Sequence, residues 1–538
     1  VFCRWGIDAI RELAFGATGD ITNLAGEAVQ SGDFLLVLLL PAIGGLLVAP
    51  LIHYGAREAK GHGVPEVMDA IALHAGRIRP RVAIIKALSS IITIGTGGSV
   101  GWEGPIIQIG AGISSSAGQI LRVARRHMRV LVACGAAAGI GATFNAPIAG
   151  VLFALEIFIG ELAVVTFTPV VVAAVAGTAV SILHFGPHGV LELPEHLYHL
   201  HSVWEIPLYA LLGITCAVGA VLFTRSVYLA EDLFDASRIP ELLKPALGGL
   251  AVGAIGIAMP SVLGVGYVTI GNALHGEFAI NALLGIFFVK LAATCLTLGS
   301  GGSGGIFGPS LVLGSVIGAA FGAVAQGAIP GEVANPGVYA VVGMAALVAG
   351  TTHAPISAIL IIFEMTKDYE IILPLMIACV ISSTAARGML AESIYSLKLA
   401  RRGVRLRGGR DAAVLRSLLV RDIMRHDPTL FYEHASFDDV STRALKSPHH
   451  IYPVVDAEER LLGVIVLDTL RPFLFEEGLL HVAVAGDLAA EYPVILGPED
   501  NLERARELFA RIPYEEIPVV DSESGRVVGI LREHDMYA

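Results

Sequence analysis

The sequence predicts an all-α polytopic membrane protein followed by a small α/β pair of soluble modules. Three observations carry that prediction: an apolar composition, apolar runs broken by glycine and proline, and a charged tail that repeats itself. Of 538 residues, 54% are hydrophobic and 16% charged, and the mean hydropathy is +0.70. A soluble domain of ordinary usage is far more polar.

Apolar runs lie at 34–52, 163–184, 206–224, 246–265, 311–328, 337–351 and 371–386. A straight crossing takes roughly 20 apolar residues, and several of these runs fall short. The expectation is therefore of tilted, broken or half-way helices packed against protein. The net charge of -12 sits largely after residue 430, and no basic footprint for nucleic acid is visible. Cys3, Cys134, Cys216, Cys295 and Cys379 stand singly in or near apolar stretches, as packed residues rather than a disulfide or metal framework, so no metal site is expected. The chain opens on Val1 with no signal-peptide pattern before its first long run, and further N-terminal sequence is expected.

Two internal repeats divide the chain. In the membrane part, the segment from Asn145 to Glu156 is echoed by His353 to Glu364, and Gly104, Pro105 and Gly110 by Gly308, Pro309 and Gly314, at offsets of 208 and 204. A duplicated membrane unit places a transport site at the interface of its halves. In the tail, Pro453 to Asp456 with Gly463 recurs as Pro518 to Asp521 with Gly529, each copy alternating short β-rich runs with amphipathic helices. The expected organisation is a membrane domain over 1–397, in halves of about 1–200 and 201–397, a linker over 398–417, and modules over 418–475 and 482–538. The linker carries Arg401, Arg402, Arg405, Arg407 and Arg410, which favours a cytoplasmic position for it and the tail.

Three segments combine glycines and a proline ahead of an apolar run: Gly61 to Glu66 (GHGVPE), Gly101 to Pro105 (GWEGP) and Gly305 to Pro309 (GIFGP). Glycine permits close backbone approach and proline suits the first helical turn. Helix N-termini present free N–H groups and the positive end of the dipole, so three of them converging would hold an anion without a full positive charge.

These segments, with Ser393 to Tyr395 following in order, resemble the signatures of the CLC chloride channels and chloride/proton exchangers, over nearly the whole chain. The tail resembles the paired CBS modules of many family members. The resemblance implies the inverted-repeat CLC fold and a homodimer with one pore per subunit. It implies chloride held by backbone N–H groups of Ile306 and Phe307 and by the Tyr395 hydroxyl, a neutral donor. It places His62, Gly63, Trp102, Glu103 and Gly104 around the anion path, with Glu103 as the gate. An acid in a site built for anions competes with them; a helix-capping role for Glu103 is the alternative. Tyr395 and the prolines of the first two motifs separate the chain from fluoride-specialised relatives.

Three residues depart from the family pattern. His62 stands in place of a serine that contacts the central anion; its ring either donates to the anion, making transport pH-dependent, or turns away. Trp102 replaces an arginine, which weakens electrostatic steering at the outer mouth; simple packing is the expected role. Ile157 stands where many exchangers carry an inner proton-relaying glutamate, with Glu161 a substitute one turn on. Glu156 and Glu364 read as structural acids bonded to backbone.

Glu103 favours a chloride/proton antiporter, and Ile157 keeps a passive channel in play. A CBS-regulated cation transporter would need membrane carboxylates or carbonyl rings, and membrane acids are scarce. No Ser/His/Asp, Cys/His or HExxH arrangement supports an enzyme. No cofactor is required; chloride is the expected bound ion, with protons as a second partner. In the tail, Gly529 and Asp535 fit a nucleotide-binding pattern but Arg532 takes its hydroxyl position, while the first module (Gly463, Val466, Thr469) lacks both polar residues. An adenine nucleotide at the CBS pair and a purely architectural tail both stay open. The expected location is the cell membrane, multi-pass, with the CBS modules in the cytoplasm.

Overall fold

The computed structural model describes residues 2–160, 164–186, 205–329, 333–404, 415, 418–447, 449–467, 483–490, 494–509, 511–512 and 514–536. Glu161, Arg405, Arg407, Arg410 and Thr469 lie outside them. The chain divides into two compact units, 1–405 and 406–538.

The first unit is helical. Its N-terminal half runs α1 (Phe2–Phe15), α2 (Ile21–Ser31), α3 (Phe34–Pro50), α4 (Val64–Leu73), α5 (Pro80–Gly95), α6 (Glu103–Ile120), α7 (Arg125–Phe144), α8 (Pro147–Phe153) and α9 (Val164–Phe185). The second half runs α10 (Ile206–Ala236), α11 (Lys244–Ala258), α12 (Tyr267–Leu274), α13 (Ile280–Gly299), α14 (Phe307–Ala328), α15 (Pro336–Thr352), α16 (Pro355–Thr366), α17 (Ile372–Met389) and α18 (Ser396–Arg401).

Seven helices among the described residues are long and apolar enough to cross a membrane. Others are not: α4 and α12 have 10 and 8 residues. At about 1.5 Å per residue each reaches at most half of a ~30 Å hydrocarbon core. Their ends therefore lie inside protein, which is where an N-terminus can serve as a site. Proline at the first or second position opens α4, α5, α8, α15 and α16.

The two halves are packed by the same device. A Cβ on Gly314 of α14 would strike Gly343 of α15, and one on Gly110 of α6 would strike Gly135 of α7. Both helix pairs cross backbone to backbone, as small residues allow where lipid supplies no hydrophobic drive.

In the second unit, β1 (Phe431–Tyr432) pairs in parallel with β2 (Ile451–Val455), which pairs antiparallel with β3 (Leu461–Val466). β4 (Glu516–Val520) pairs antiparallel with β5 (Val527–Arg532). The repeat is exact in register: Val454 faces Gly463 and Val519 faces Gly529, with a ladder irregularity directly after each. Buried Glu516 ties the copies together, accepting from the N–H groups of His450 at 2.9 Å and Ile451 at 3.1 Å.

Candidate functional site

Backbone bonds draw the three glycine-proline motifs together. Gly61 N–H donates to the Gly302 carbonyl at 3.2 Å and Gly304 N–H to the Gly61 carbonyl at 3.3 Å. Gly101 and Gly305 exchange bonds of 2.8 and 2.5 Å. The segment before α14 is thus stitched to the loops that open α4 and α6. Gly104 seals the junction: a Cβ there would lie 2.5 Å from the His62 carbonyl oxygen and 3.0 Å from Gly305 Cα. Gly63, at φ +86°, has Gln108 and the Gly104 carbonyl against its open face. First-turn N–H groups have no partner within their own helix, so the start of α14, where Ile306 and Phe307 are buried, is an anion-seeking surface.

Glu103, only 2% exposed, supplies such an anion. It is the first residue of α6, yet its carboxylate reaches out of its own helix to accept from Gly308 N–H in the first turn of α14 at 3.3 Å. It also accepts from the Tyr267 hydroxyl at 2.6 Å. The Trp102 indole N–H donates to that same hydroxyl at 3.1 Å. Trp102, expected to be a packing residue, therefore also makes a specific polar contact beside the gate candidate.

His62 is 4% exposed and its Nδ1 has no hydrogen-bond partner among the described residues. Its ring centroid lies 5.9 Å from that of Tyr395, so the imidazole is not turned out to solvent. Tyr395 is held by its chain neighbour: the Tyr228 hydroxyl donates to the Ile394 carbonyl at 2.7 Å and Ile394 N–H to the Thr351 carbonyl at 2.9 Å. A cavity of about 310 Å³ mixes Arg57, Lys60, Lys244 and Lys398 with Glu66 and Asp235. Glu66 is paired with Lys398 at 3.1 Å and Arg402 at 3.0 Å.

Two lysines escaped the sequence reading. Lys86 donates to the carbonyls of Ala59 at 3.1 Å and Gly61 at 2.6 Å. Lys290 donates to those of Val262 at 3.0 Å and Gly264 at 2.8 Å. Both are fully buried and 204 residues apart, the offset of the motifs themselves. Each braces the loop that opens a short helix, α4 or α12.

Ile157 lies in the π-helical stretch Ala154–Ile159 that continues α8, and its neighbour Glu156 is committed to backbone N–H groups of α16. In the tail, the Asp535 carboxylate accepts from Arg425 and Arg532 Nε, both at 3.1 Å. The acid that fits the nucleotide-binding pattern is engaged by the protein's own guanidinium groups.

Residues 44–387 match the family described as voltage gated chloride channel, and residues 420–476 and 485–538 match the CBS domain. The chain is 39% identical over 398 residues to a ClcB-like chloride channel protein of Ralstonia nicotianae, covering 73% of this chain and 92% of that one. It is 34% identical over 379 residues to the H(+)/Cl(-) exchange transporter ClcA of Vibrio parahaemolyticus, covering 68% and 80%. Among solved structures, a slow cyanobacterial Cl-/H+ antiporter superposes with a TM-score of 0.64 at 26% identity, covering 74% and 96%.

Proposed function

The chain belongs to the CLC family of voltage-gated chloride channels, and from that premise we propose that it exchanges chloride for protons through a path gated by Glu103. Its membership makes it a multi-pass membrane protein of an anion-transporting family. The observation that carries the finer reading is the Glu103 carboxylate on the N-terminus of α14, a place where a halide would make the same contact. A carboxylate and a chloride compete for one set of N–H donors, and protonation of the carboxylate removes its claim on them. Anion and proton thus both act on this one group, each favouring its release from the donors, and that shared group is what would couple the two ions.

The inner half of the path is assigned to His62 and Tyr395 as side-chain donors, with Ile306, Phe307, Gly63 and Gly104 contributing backbone. The unpartnered Nδ1 of His62 supports a direct contact with the anion. Two copies would assemble, each with its own path, in the cell membrane with the CBS modules in the cytoplasm. The tail would act as architecture, since Asp535 is already engaged; an adenine nucleotide there would have to displace two arginines.

A passive channel is the second reading, favoured by Ile157 in place of an inner carboxylate. Radiotracer chloride uptake into liposomes tests the gate. Glu103→Gln, a permanently neutral side chain, should change the rate and remove the part of its pH dependence that Glu103 carries. Uptake by Glu103→Gln that matched wild type at every pH would remove Glu103 from the path.

A further inference from the structure

We propose that Tyr267 and Trp102 form a hydrogen-bonded latch that holds the Glu103 gate shut, making them positioning residues that set how readily the gate releases. The inference deepens the proposed function and rests on Glu103 being the gate. Indole N–H is a donor only, so the 3.1 Å contact from Trp102 fixes the Tyr267 oxygen as its acceptor. With a lone pair so occupied, the phenol directs its own proton to Glu103, at 2.6 Å. The latch therefore has a direction, from Trp102 through Tyr267 to the carboxylate.

The chain's geometry makes it a cross-repeat device. Trp102 and Glu103 enter from the first half, as the N-cap and first residue of α6; Tyr267 comes from the second, as the first residue of α12. Gly266, at φ +93°, turns the backbone into α12, and the Lys290 ammonium grips the Gly264 carbonyl at 2.8 Å. The tyrosine is thus held in place by its own loop. Two donors then meet the carboxylate: Gly308 N–H seats it as an anion would be seated, while Tyr267 recognises it as a carboxylate, through a bond that chloride at the helix terminus does not need. A charge-assisted bond of this kind favours the ionised acid over the neutral one.

The charged and titratable groups that face Glu103 are Tyr267 on α12, Lys290 on α13 and Tyr395 before α18; Asp20, ahead of α2, faces Tyr267 and Lys290. Of these, only Tyr267 donates a side-chain hydrogen bond to the Glu103 carboxylate among the described residues.

The experiment measures chloride efflux from liposomes between pH 4.5 and 8 for wild type, Tyr267→Phe, Trp102→Phe, Glu103→Gln and the Glu103→Gln/Tyr267→Phe pair. Tyr267→Phe should raise flux at neutral pH by about tenfold, the order expected for one charge-assisted hydrogen bond, and move the half-activating pH upward. Trp102→Phe should act in the same direction and less, and Tyr267→Phe should add nothing on the Glu103→Gln background. Unchanged flux and pH profile in Tyr267→Phe and Trp102→Phe, beside an altered Glu103→Gln, would overturn the latch and leave the gate standing. A slower Tyr267→Phe with a wild-type pH profile would also overturn it. An unaltered Glu103→Gln would instead remove the gate on which the latch rests.

Discussion

Glu156 and Glu364 hold each other's halves of the membrane unit. Glu156 accepts from Ser357 N–H at 2.8 Å and from Ile356 N–H at 3.4 Å, at the start of α16. Glu364 accepts from Ala149 N–H at 2.6 Å and Ile148 N–H at 3.1 Å, at the start of α8. Acceptors and donors are separated by one offset, 208 residues, so the contact is self-complementary in the manner of a two-fold axis. The expected structural acids are indeed bonded to backbone, but across the repeat rather than within it.

Neutralising either acid should weaken the unit, because a glutamine presents only one acceptor oxygen where two N–H groups point. Hydrogen bonds to charged groups contribute roughly 1.5–3 kcal/mol each. Glu156→Gln should be the costlier change, since Ser357 also donates its hydroxyl at 2.6 Å. Thermal unfolding in detergent checks this, with Glu156→Gln lowest, then Glu364→Gln, then wild type; equal midpoints would contradict it.

Space at the motif junction gives a second expectation. Gly104→Ala puts a methyl against the His62 carbonyl and Gly305 Cα, both backbone, where overpacking typically costs about 1–3 kcal/mol. Gly327→Ala, on α14 with nothing within 4 Å of the new atom, is the matched control and should be neutral or slightly stabilising. Chloride flux should collapse in the first and persist in the second.

The braced loops give a third. Lys86→Met removes one of two donors from each of the Ala59 and Gly61 carbonyls, which keep the Ser303 hydroxyl at 3.0 Å and Gly304 N–H at 3.3 Å, a loss of roughly 1.5–3 kcal/mol per bond to a charged group, and it removes a buried amine beside the proposed anion path. Chloride affinity by isothermal titration and thermal stability should fall together. Lys290→Met should do likewise and also loosen Gly264, so that its flux resembles that of Tyr267→Phe. Unchanged stability in both variants would show that the carbonyls find other partners.

The motifs were legible because glycine, proline and charge are read locally: GHGVP, GWEGP and GIFGP announce three helix starts, and the structure stitches them together. The partners of those starts were not. α13 was missed as a span because Lys290 interrupts its apolar run, although that lysine is buried on two carbonyls. α7, rich in glycine and alanine, has too weak a hydropathy to stand out. Tyr267 opens α12 directly after a fourth glycine loop, Gly264 to Gly266, that lacks the proline. Adding the motif offset of 203–204 to Gly61, Gly63 and Lys86 lands on Gly264, Gly266 and Lys290, and that arithmetic was the signal available. The polar role of Trp102 could not be read locally, since its partner lies 165 residues away.

The most direct measurement is simultaneous recording of chloride and pH with purified protein in liposomes, wild type beside Glu103→Gln. The expected result is proton movement driven by a chloride gradient against the proton gradient, abolished in Glu103→Gln while chloride still flows. Chloride flux in wild type with no coupled proton movement would contradict exchange and leave a passive channel, with Ile157 as its cause.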